Sequence, residues 1–408
     1  MGAQVQATFR ATETWQKQYS WEAFAGTALK AATRFWFLVF FTGQLLFAFT
    51  VASFYGRAAV RGDFEAWNKS MTHGYRAGDT AGNLAVAIHL ISAVIIILAG
   101  TIQLIPQVRN RAPFFHRWNG RLYFVTAFTI SLAGLYMMWV RGTVGDLSQH
   151  LGNTILAVLI MLLAVMALRY AMARDFKTHR WWALRLYFVV SASLFIRAGI
   201  FLSLLLNRGP FGFDPATFQG PFMTFISFAQ YLVPLAVLEI YLRVRERSNA
   251  PARIAMAASL VILAVALGAG IFAVAMAKWL PSIQAAYDPR TSIAQTLSAT
   301  IASSGIDLAV RQYHDFKATA PATYNFDEDQ LNSLGYQLLR AHQFKEAVRI
   351  FQLNVEAYPQ SSNPYDSLGE AYMNGGDKPQ AIANYQKSLE LNPKNGNAVK
   401  MLRKLNTP

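Results

Sequence analysis

Apolar residues gather in runs of roughly 20, the length that crosses the hydrocarbon of a bilayer as a helix. These runs recur up to residue 276 and then stop. Seven spans are predicted: Phe35–Tyr55, Leu84–Ile105, Gly120–Val140, Leu151–Met172, Trp181–Leu206, Phe222–Leu242 and Ile254–Met276. A polar loop holding His73 separates the first two, and a Gly/Pro/Phe-rich loop, Asn207–Pro221, separates the fifth from the sixth. Gly268 and Gly270 sit among alanines in the seventh, which suits close helix packing. Lys278 and Trp279 are expected to close that span at a membrane interface. Ahead of the first span, Trp15, Tyr19 and Trp21 beside Lys17 belong to an expected polar leader, with a surface-lying helix as the alternative.

Beyond Pro281 the pattern becomes a repeat. Leu334-Gly335, Ala347, Phe351 and Pro359 return as Leu368-Gly369, Ala381, Tyr385 and Pro393, with a constant period of 34. A looser copy, offset by four more residues, falls at Ala309, Tyr313 and Pro321. The pattern resembles the tetratricopeptide repeat, in which a small residue lets two helices cross, an aromatic fills the gap and a proline ends the second helix. The position of the repeat's third alanine is held instead by Asn354 and Ser388. The stretch Ala398–Leu405 reads as a solvating cap. The expected fold is all-α: a seven-helix transmembrane bundle followed by a soluble helical-repeat domain. Its divisions are a leader over 1–33, the membrane domain over 34–280, a linker with a degenerate repeat over 281–324 and the repeats over 325–408.

Composition agrees with this division. Of 408 residues, 54% are hydrophobic and only 14% charged, too apolar for a soluble protein of this size. Residues 1–285 carry 25 Lys+Arg against 10 Asp+Glu, and residues 286–408 carry 12 of each. The excess positive charge therefore belongs to the membrane half and its contact with anionic headgroups. Nucleic acid is not an expected partner, because the basic residues lie in short loops rather than in one stripe. The absence of cysteine excludes disulfides, thiolate metal sites and cysteine nucleophiles. No short apolar core followed by a cleavage site opens the chain, so no cleaved signal peptide is expected.

The loops set an orientation. Arg109, Arg111, Arg117 and Arg121 lie between spans two and three, Arg174, Lys177 and Arg180 between four and five, and Arg243, Arg245, Arg247 and Arg253 between six and seven. The alternate loops hold Arg141 alone and Arg208 alone. The expectation is a multi-pass membrane protein with a cytoplasmic N-terminus and its repeats on the outer side.

Candidate chemistry lies in the spans. Arg197 stands sixteen residues into the fifth, with roughly 13 Å of helix left before its outer end at 1.5 Å per residue. A guanidinium at that depth needs an anion or must snorkel to the headgroups, and both readings stay open. Glu239 is expected to pair with Arg185. Four histidines sort by side: His89 and His150 in the outer half, His116 and His179 at the inner surface. Two imidazoles across a bundle are what a six-coordinate haem iron requires. On that scheme His89 with His150 and His116 with His179 are haem ligands, His89 and His150 are the candidate metal ligands, and Arg197 with Arg121 or Arg185 would hold propionates. The alternative for the inner pair is an interfacial anchor of arginines on lipid phosphate and aromatics in the belt. His73, His314 and His342 read as ordinary polar residues.

The order of these histidines is similar to that in the transmembrane cytochromes b that use ascorbate, where helices two and four hold one haem and helices three and five the other. The run His89, Gly100, Gln103, His116-Arg117, Gly120-Arg121, Tyr123, His179-Arg180-Trp181, Arg185 and Arg197 resembles a family of bacterial predicted membrane proteins, domain of unknown function 2306, over roughly 84–206. That resemblance implies a multi-span bacterial membrane protein and no defined activity. No phosphate-binding glycine loop, Gly-x-Ser-x-Gly elbow or His-Glu-x-x-His motif is present, so neither hydrolysis nor phosphate chemistry is expected. Two functions follow. One is a b-type haem redox module with a protein-binding repeat domain. The other is a non-enzymatic membrane-anchored scaffold that works through its repeats on a protein or peptide partner.

Overall fold

A computed structural model describes residues 2–71, 74–215 and 217–406, and His73 falls outside the described residues. The chain divides into two units, Met1–Ala286 and Tyr287–Pro408. Both are built from helices, as the sequence pattern requires.

In the first unit, α1 spans Gly2–Val51 and continues through a wider turn to Val60. The side chains of Trp15, Lys17 and Tyr19 lie outside the described residues. There follow α2 (Thr80–Gln103), α3 (Pro113–Tyr136), α4 (Leu147–Met172), α5 (Phe176–Val190), α6 (Ala192–Asn207), α7 (Pro221–Arg247) and α8 (Ala250–Val274). Among the described residues, six helices are long and apolar enough to cross a membrane; α5 with α6, bent by 45°, makes a seventh span if the pair counts as one.

The starts of these helices are written locally. Asp79, Asp146, Asp175 and Asn249 each accept a hydrogen bond from a backbone N–H in the first turn of α2, α4, α5 and α8. Such caps satisfy donors that have no intrahelical acceptor. Prolines open α3 and α7, where a missing N–H costs nothing.

The predicted fifth span is broken at Ser191. Its hydroxyl donates to the Tyr187 carbonyl at 2.7 Å, and its own N–H reaches the same oxygen at 3.2 Å. Two donors on one carbonyl disturb the helical ladder and bend the helix.

Glycines set the close crossings. A Cβ on Gly270 of α8 would collide with the Ala198 carbonyl of α6, and one on Gly43 of α1 would strike Ile271 of α8. Around them runs an aromatic seam in which Phe40 of α1 stacks against Trp36, Phe188 and Phe195 at centroid distances of 4.9, 5.9 and 5.4 Å. Trp279 differs from its expected interfacial place. The helix continues past it to Tyr287, and the indole is buried and stacked on Phe47 at 5.6 Å.

Arg141 differs more. Expected as the lone base of an outer loop, it is 3% exposed at the side chain and pairs with Asp79 at 3.0 Å. Its guanidinium also donates to the Gly82 carbonyl at 3.1 Å and to Asn83 Oδ1 at 2.8 Å. Arg76 returns a bond to the Arg141 carbonyl at 3.0 Å. One cation thus gathers the loop before α2 onto the end of α3.

The second unit stacks helix pairs: α9 (Ile293–Ser304) with α10 (Ile306–Thr319), α11 (Glu328–Arg340) with α12 (Phe344–Ala357), and α13 (Ser362–Asn374) with α14 (Lys378–Leu391), followed by α15 (Gly396–Asn406). Gly335 faces the Phe351 ring and Gly369 the Tyr385 ring so closely that a Cβ would touch either aromatic. This is the small-against-aromatic crossing that the repeat pattern requires. Ahead of α9, a parallel pair of strands, β1 (Thr291–Ser292) and β2 (Tyr324–Asn325), closes the array's first end. Arg290 bridges Asp288 at 2.8 Å and Asp327 at 3.2 Å beside it. These contacts hold the Asp288 carboxyl below its ordinary range, the Arg290 hydrogen bond contributing most.

Asn354 is fully buried in α12, and neither end of its amide has a hydrogen-bond partner. Two stability changes follow. Arg141→Met strands a partly buried Asp79 and several carbonyls, and is expected to cost about 3–5 kcal/mol, read as a lowered thermal midpoint of the detergent-purified protein. Asn354→Ala removes an unsatisfied amide and is expected to stabilise the repeat unit by about 1 kcal/mol, read as a rise in the midpoint of its own unfolding transition.

Candidate functional site

Two polar clusters lie inside the bundle. The first joins the end of α2, the start of α3 and the start of α5. Asn119 donates to the Ala99 carbonyl at 2.8 Å, and Gln103 donates to the His116 carbonyl at 2.8 Å. Gly120 leaves room for that glutamine, whose Nε2 lies 3.2 Å from where a Cβ would stand. Gly100 does the same for two rings, with Tyr123 and Tyr187 at 2.7 and 3.1 Å from its would-be Cβ.

On α3, His116 and Tyr123 are seven residues apart; on α5, His179 and Tyr187 are eight apart, so each pair shares one helix face. His116 is close enough to His179 to feel its charge, and Tyr123 to feel Tyr187. The result is two rungs, one of histidines and one of tyrosines. The His179 Nδ1 lies 2.8 Å from the Ala167 carbonyl; because a carbonyl only accepts, Nδ1 carries the proton and Nε2 is left free. His116 Nδ1, Tyr123 OH, Tyr187 OH and Thr101 Oγ1 are buried without hydrogen-bond partners, although the Thr101 hydroxyl lies beside that of Tyr187. An unpaired buried polar atom costs about 1–3 kcal/mol. Such atoms suit a hydrogen-bonding guest, water included.

The second cluster joins α1, α2, α3 and α6. His89 Nδ1 lies 3.3 Å from the Ile130 carbonyl, with Gly134 alongside the ring. Arg197 is near enough to act on both His89 and Tyr55. Its guanidinium lies 4.5 Å above the Phe47 ring and donates to the Ser193 carbonyl at 2.8 Å.

The remaining candidates scatter. His150 packs edge-on against Trp139 at 5.7 Å, with its Nε2 buried and unpartnered. His89 and His150 both touch α3 or its continuation, but at points five to nine residues apart, roughly 8–13 Å along the helix. Arg121 is exposed and stacks on Trp118 at 4.6 Å, a belt-like arrangement. Arg185 forms the expected pair with Glu239, at 2.6 Å, and lies 5.7 and 5.2 Å from the rings of Trp181 and Trp182. The structure therefore pairs Arg185 with Glu239 and sets His116 within electrostatic reach of His179, and His89 of Arg197; His89 and His150 contact different stretches of α3 and its continuation. Among the described residues no three His, Cys, Asp or Glu side chains converge. Thr101, Asn119, Tyr187 and Tyr55 join these clusters without having stood out in sequence. The available signal was polarity inside an apolar run, at heptad-like distance from a histidine.

The repeat unit carries a polar face along α11, α13 and α15. Ser367 donates to Asn332 at 2.8 Å, Asn363 to Glu328 at 2.9 Å and Asn397 to Asp366 at 2.8 Å. Tyr336 OH donates to Glu370 Oε2 at 2.9 Å. Burial, and secondarily the charge of Asp366, raise the Glu370 carboxyl above its ordinary value, with the Tyr336 bond opposing.

Residues 86–220 match the family described as Predicted membrane protein (DUF2306), and residues 363–395 match the Tetratricopeptide repeat. The first match covers about a third of the chain and contains both polar clusters' histidines, together with Arg185 and Arg197. No curated protein matches the chain. It is a helical membrane protein with a tetratricopeptide-repeat region. Within it, residues 86–220 carry the resemblance noted in its sequence.

The Glu370 shift gives a signed pH effect. Its folded-state value lies above the unfolded one, so its contribution favours folding below the ordinary carboxyl range, about pH 4.3, and is lost as pH rises through the folded value. Glu370→Gln keeps an acceptor for Tyr336 and is expected to raise the repeat unit's stability at pH 7. The gain should shrink steadily as pH is lowered towards 4, measured by urea unfolding at a series of pH values.

Proposed function

We propose that the chain is a membrane-anchored docking protein. The bundle fixes the array to the bilayer, and the polar face of α11, α13 and α15 receives a protein or peptide partner. The observation that carries this reading is the succession of helix pairs closed by glycine-on-aromatic crossings, with the repeat match at 363–395. Arrays of this kind work through an extended concave surface rather than through bond chemistry. The hydrogen bonds along that face hold its side chains in place before a partner arrives, which lowers the ordering cost of binding.

The reading includes a bacterial inner membrane, a cytoplasmic N-terminus and repeats on the outer side. Its support is the distribution of exposed bases. Arg109, Arg111, Arg117, Arg174, Lys177, Arg180, Arg243 and Arg245 are exposed in alternate loops, whereas Arg141 is consumed by Asp79. A photo-crosslinking residue at Asn363 or Asn397 in the full-length protein in cells is expected to give a discrete adduct, and one at Lys345, on α12, none. Equal labelling from all three positions, or from none, counts against docking through this face.

A second reading, a b-type haem redox module, has specific support. His89 and His179 both spend Nδ1 on a backbone carbonyl and leave Nε2 available, as a ligating imidazole usually does. His116 and His179 lie within electrostatic reach of each other, and such a group, if held between them, would supply one-electron transfer. His89 and His150 would each bring a side-chain nitrogen to such a group from α2 and α4, and their contacts fall on different stretches of α3 and its continuation. Arg185 is already engaged by Glu239, and Arg121 faces outward. Protein purified from haem-replete cells is expected to show a Soret band that is lost in His116→Ala and His179→Ala; a folded, colourless preparation rejects this reading.

A further inference from the structure

The geometry points to an internal site at Arg197 for the carboxylate of an amphipathic molecule. This goes beyond the docking role and concerns the other unit of the chain. Three observations carry it.

The first is the direction of the side chain. Snorkelling towards the nearer end of the bent α5–α6 span would send the guanidinium forward, towards Asn207. Instead it folds back to the Ser193 carbonyl, four residues earlier, and lies over Phe47 of α1. It is therefore turned into the bundle and held there.

The second is charge. Nothing among the described residues supplies Arg197 with a carboxylate: its neighbours are a carbonyl, an aromatic face, Tyr55 and His89. Arg141 and Arg185 in the same unit each have an acid, at 3.0 and 2.6 Å. A guanidinium cannot shed its proton, and a single ring face and one carbonyl do not balance it in a low-dielectric interior. With one terminal nitrogen committed to Ser193, the other donors remain for a planar two-oxygen anion.

The third is space. Arg197, His89 and Tyr55 are each only half-buried, so their side chains remain reachable. Their surroundings are aromatic: Phe47 under the guanidinium, Trp279 stacked on Phe47, and Trp67 edge-on to Tyr55 at 6.1 Å. A cationic end with apolar, aromatic walls suits an anion that carries an apolar body. His89 Nε2, freed by the bond from Nδ1 to Ile130, offers a hydrogen-bond acceptor for a hydroxyl on the same molecule.

The test titrates the full-length protein in neutral detergent with dodecanoate, dodecanol and acetate, following the thermal midpoint. Dodecanoate is expected to raise the midpoint saturably and dodecanol to leave it unchanged. Arg197→Gln is expected to weaken dodecanoate at least tenfold, with Arg197→Lys between the two. Acetate acting at the same concentration as dodecanoate upholds the anion site and assigns it to a small free carboxylate, whereas acetate without effect assigns it to an amphiphile. Dodecanol acting as well as dodecanoate overturns the proposal, as does an Arg197→Gln variant that binds dodecanoate normally. So does the absence of any shift with either carboxylate. If Arg197→Gln fails to fold, the comparison of dodecanoate with dodecanol on the unmodified protein still decides.

Discussion

Inside a bilayer a polar atom has no water to turn to, and a span's own backbone is already satisfied. The spans of this protein are joined by the few side chains that reach a neighbouring helix's carbonyl and use its second lone pair. Asn119 ties α3 to α2, and Gln103 ties α2 back to α3. His89 repeats the α2–α3 link deeper in the bundle, and His179 ties α5 to α4. Each bond contributes about 0.6–2 kcal/mol, and together they fix rotation and register where apolar packing alone would permit sliding. The glycines serve the same end, since Gly100, Gly120 and Gly134 mark the places where a ring or an amide must approach a helix axis.

The same constraint makes departures informative. Arg141, Arg185 and Arg197 each meet the cost of a buried charge differently. Arg141 has an acid and several oxygens, Arg185 an acid between two indoles, and Arg197 a ring and one carbonyl. The tyrosine rung is a neutral counterpart: the Tyr123 hydroxyl is buried with no protein group to receive it, and that of Tyr187 has only the Thr101 hydroxyl beside it. Both unbalanced places fall within the stretch that matches the membrane family, or border it.

Much of this was legible in the chain. Periodicity alone gave seven apolar runs and a repeat of 34, because span length and helix-pair length are set by geometry. The Arg185–Glu239 pair was legible because a lone acid in a span has few possible partners. Other features were hidden for physical reasons. Ser191 bends its span by capturing a carbonyl, and a serine in an apolar run carries no mark of which oxygen it takes. Arg141 reads as loop charge until Asp79, far off in sequence, is seen beside it. The histidines' grouping depends on which neighbouring helix each ring meets, which their order does not carry: His89 turns to Ile130, His179 to Ala167 and His150 to Trp139.

Asn354 has a consequence for how the array behaves under load. In a solenoid each unit feels only its neighbours, so one deficient unit divides the cooperativity of the whole. The first pair is clasped by the β1–β2 ladder and the Arg290 bridge, and the last is tied to its cap where Asn395 donates to Ser388 and Ser388 to Ser362. In the middle pair both ends of the Asn354 amide go unbonded, whereas the first and last pairs each leave one buried hydroxyl, Tyr313 and Tyr385, without a partner. Pulling on the array is therefore expected to part it first at its centre, as a mechanical fuse does.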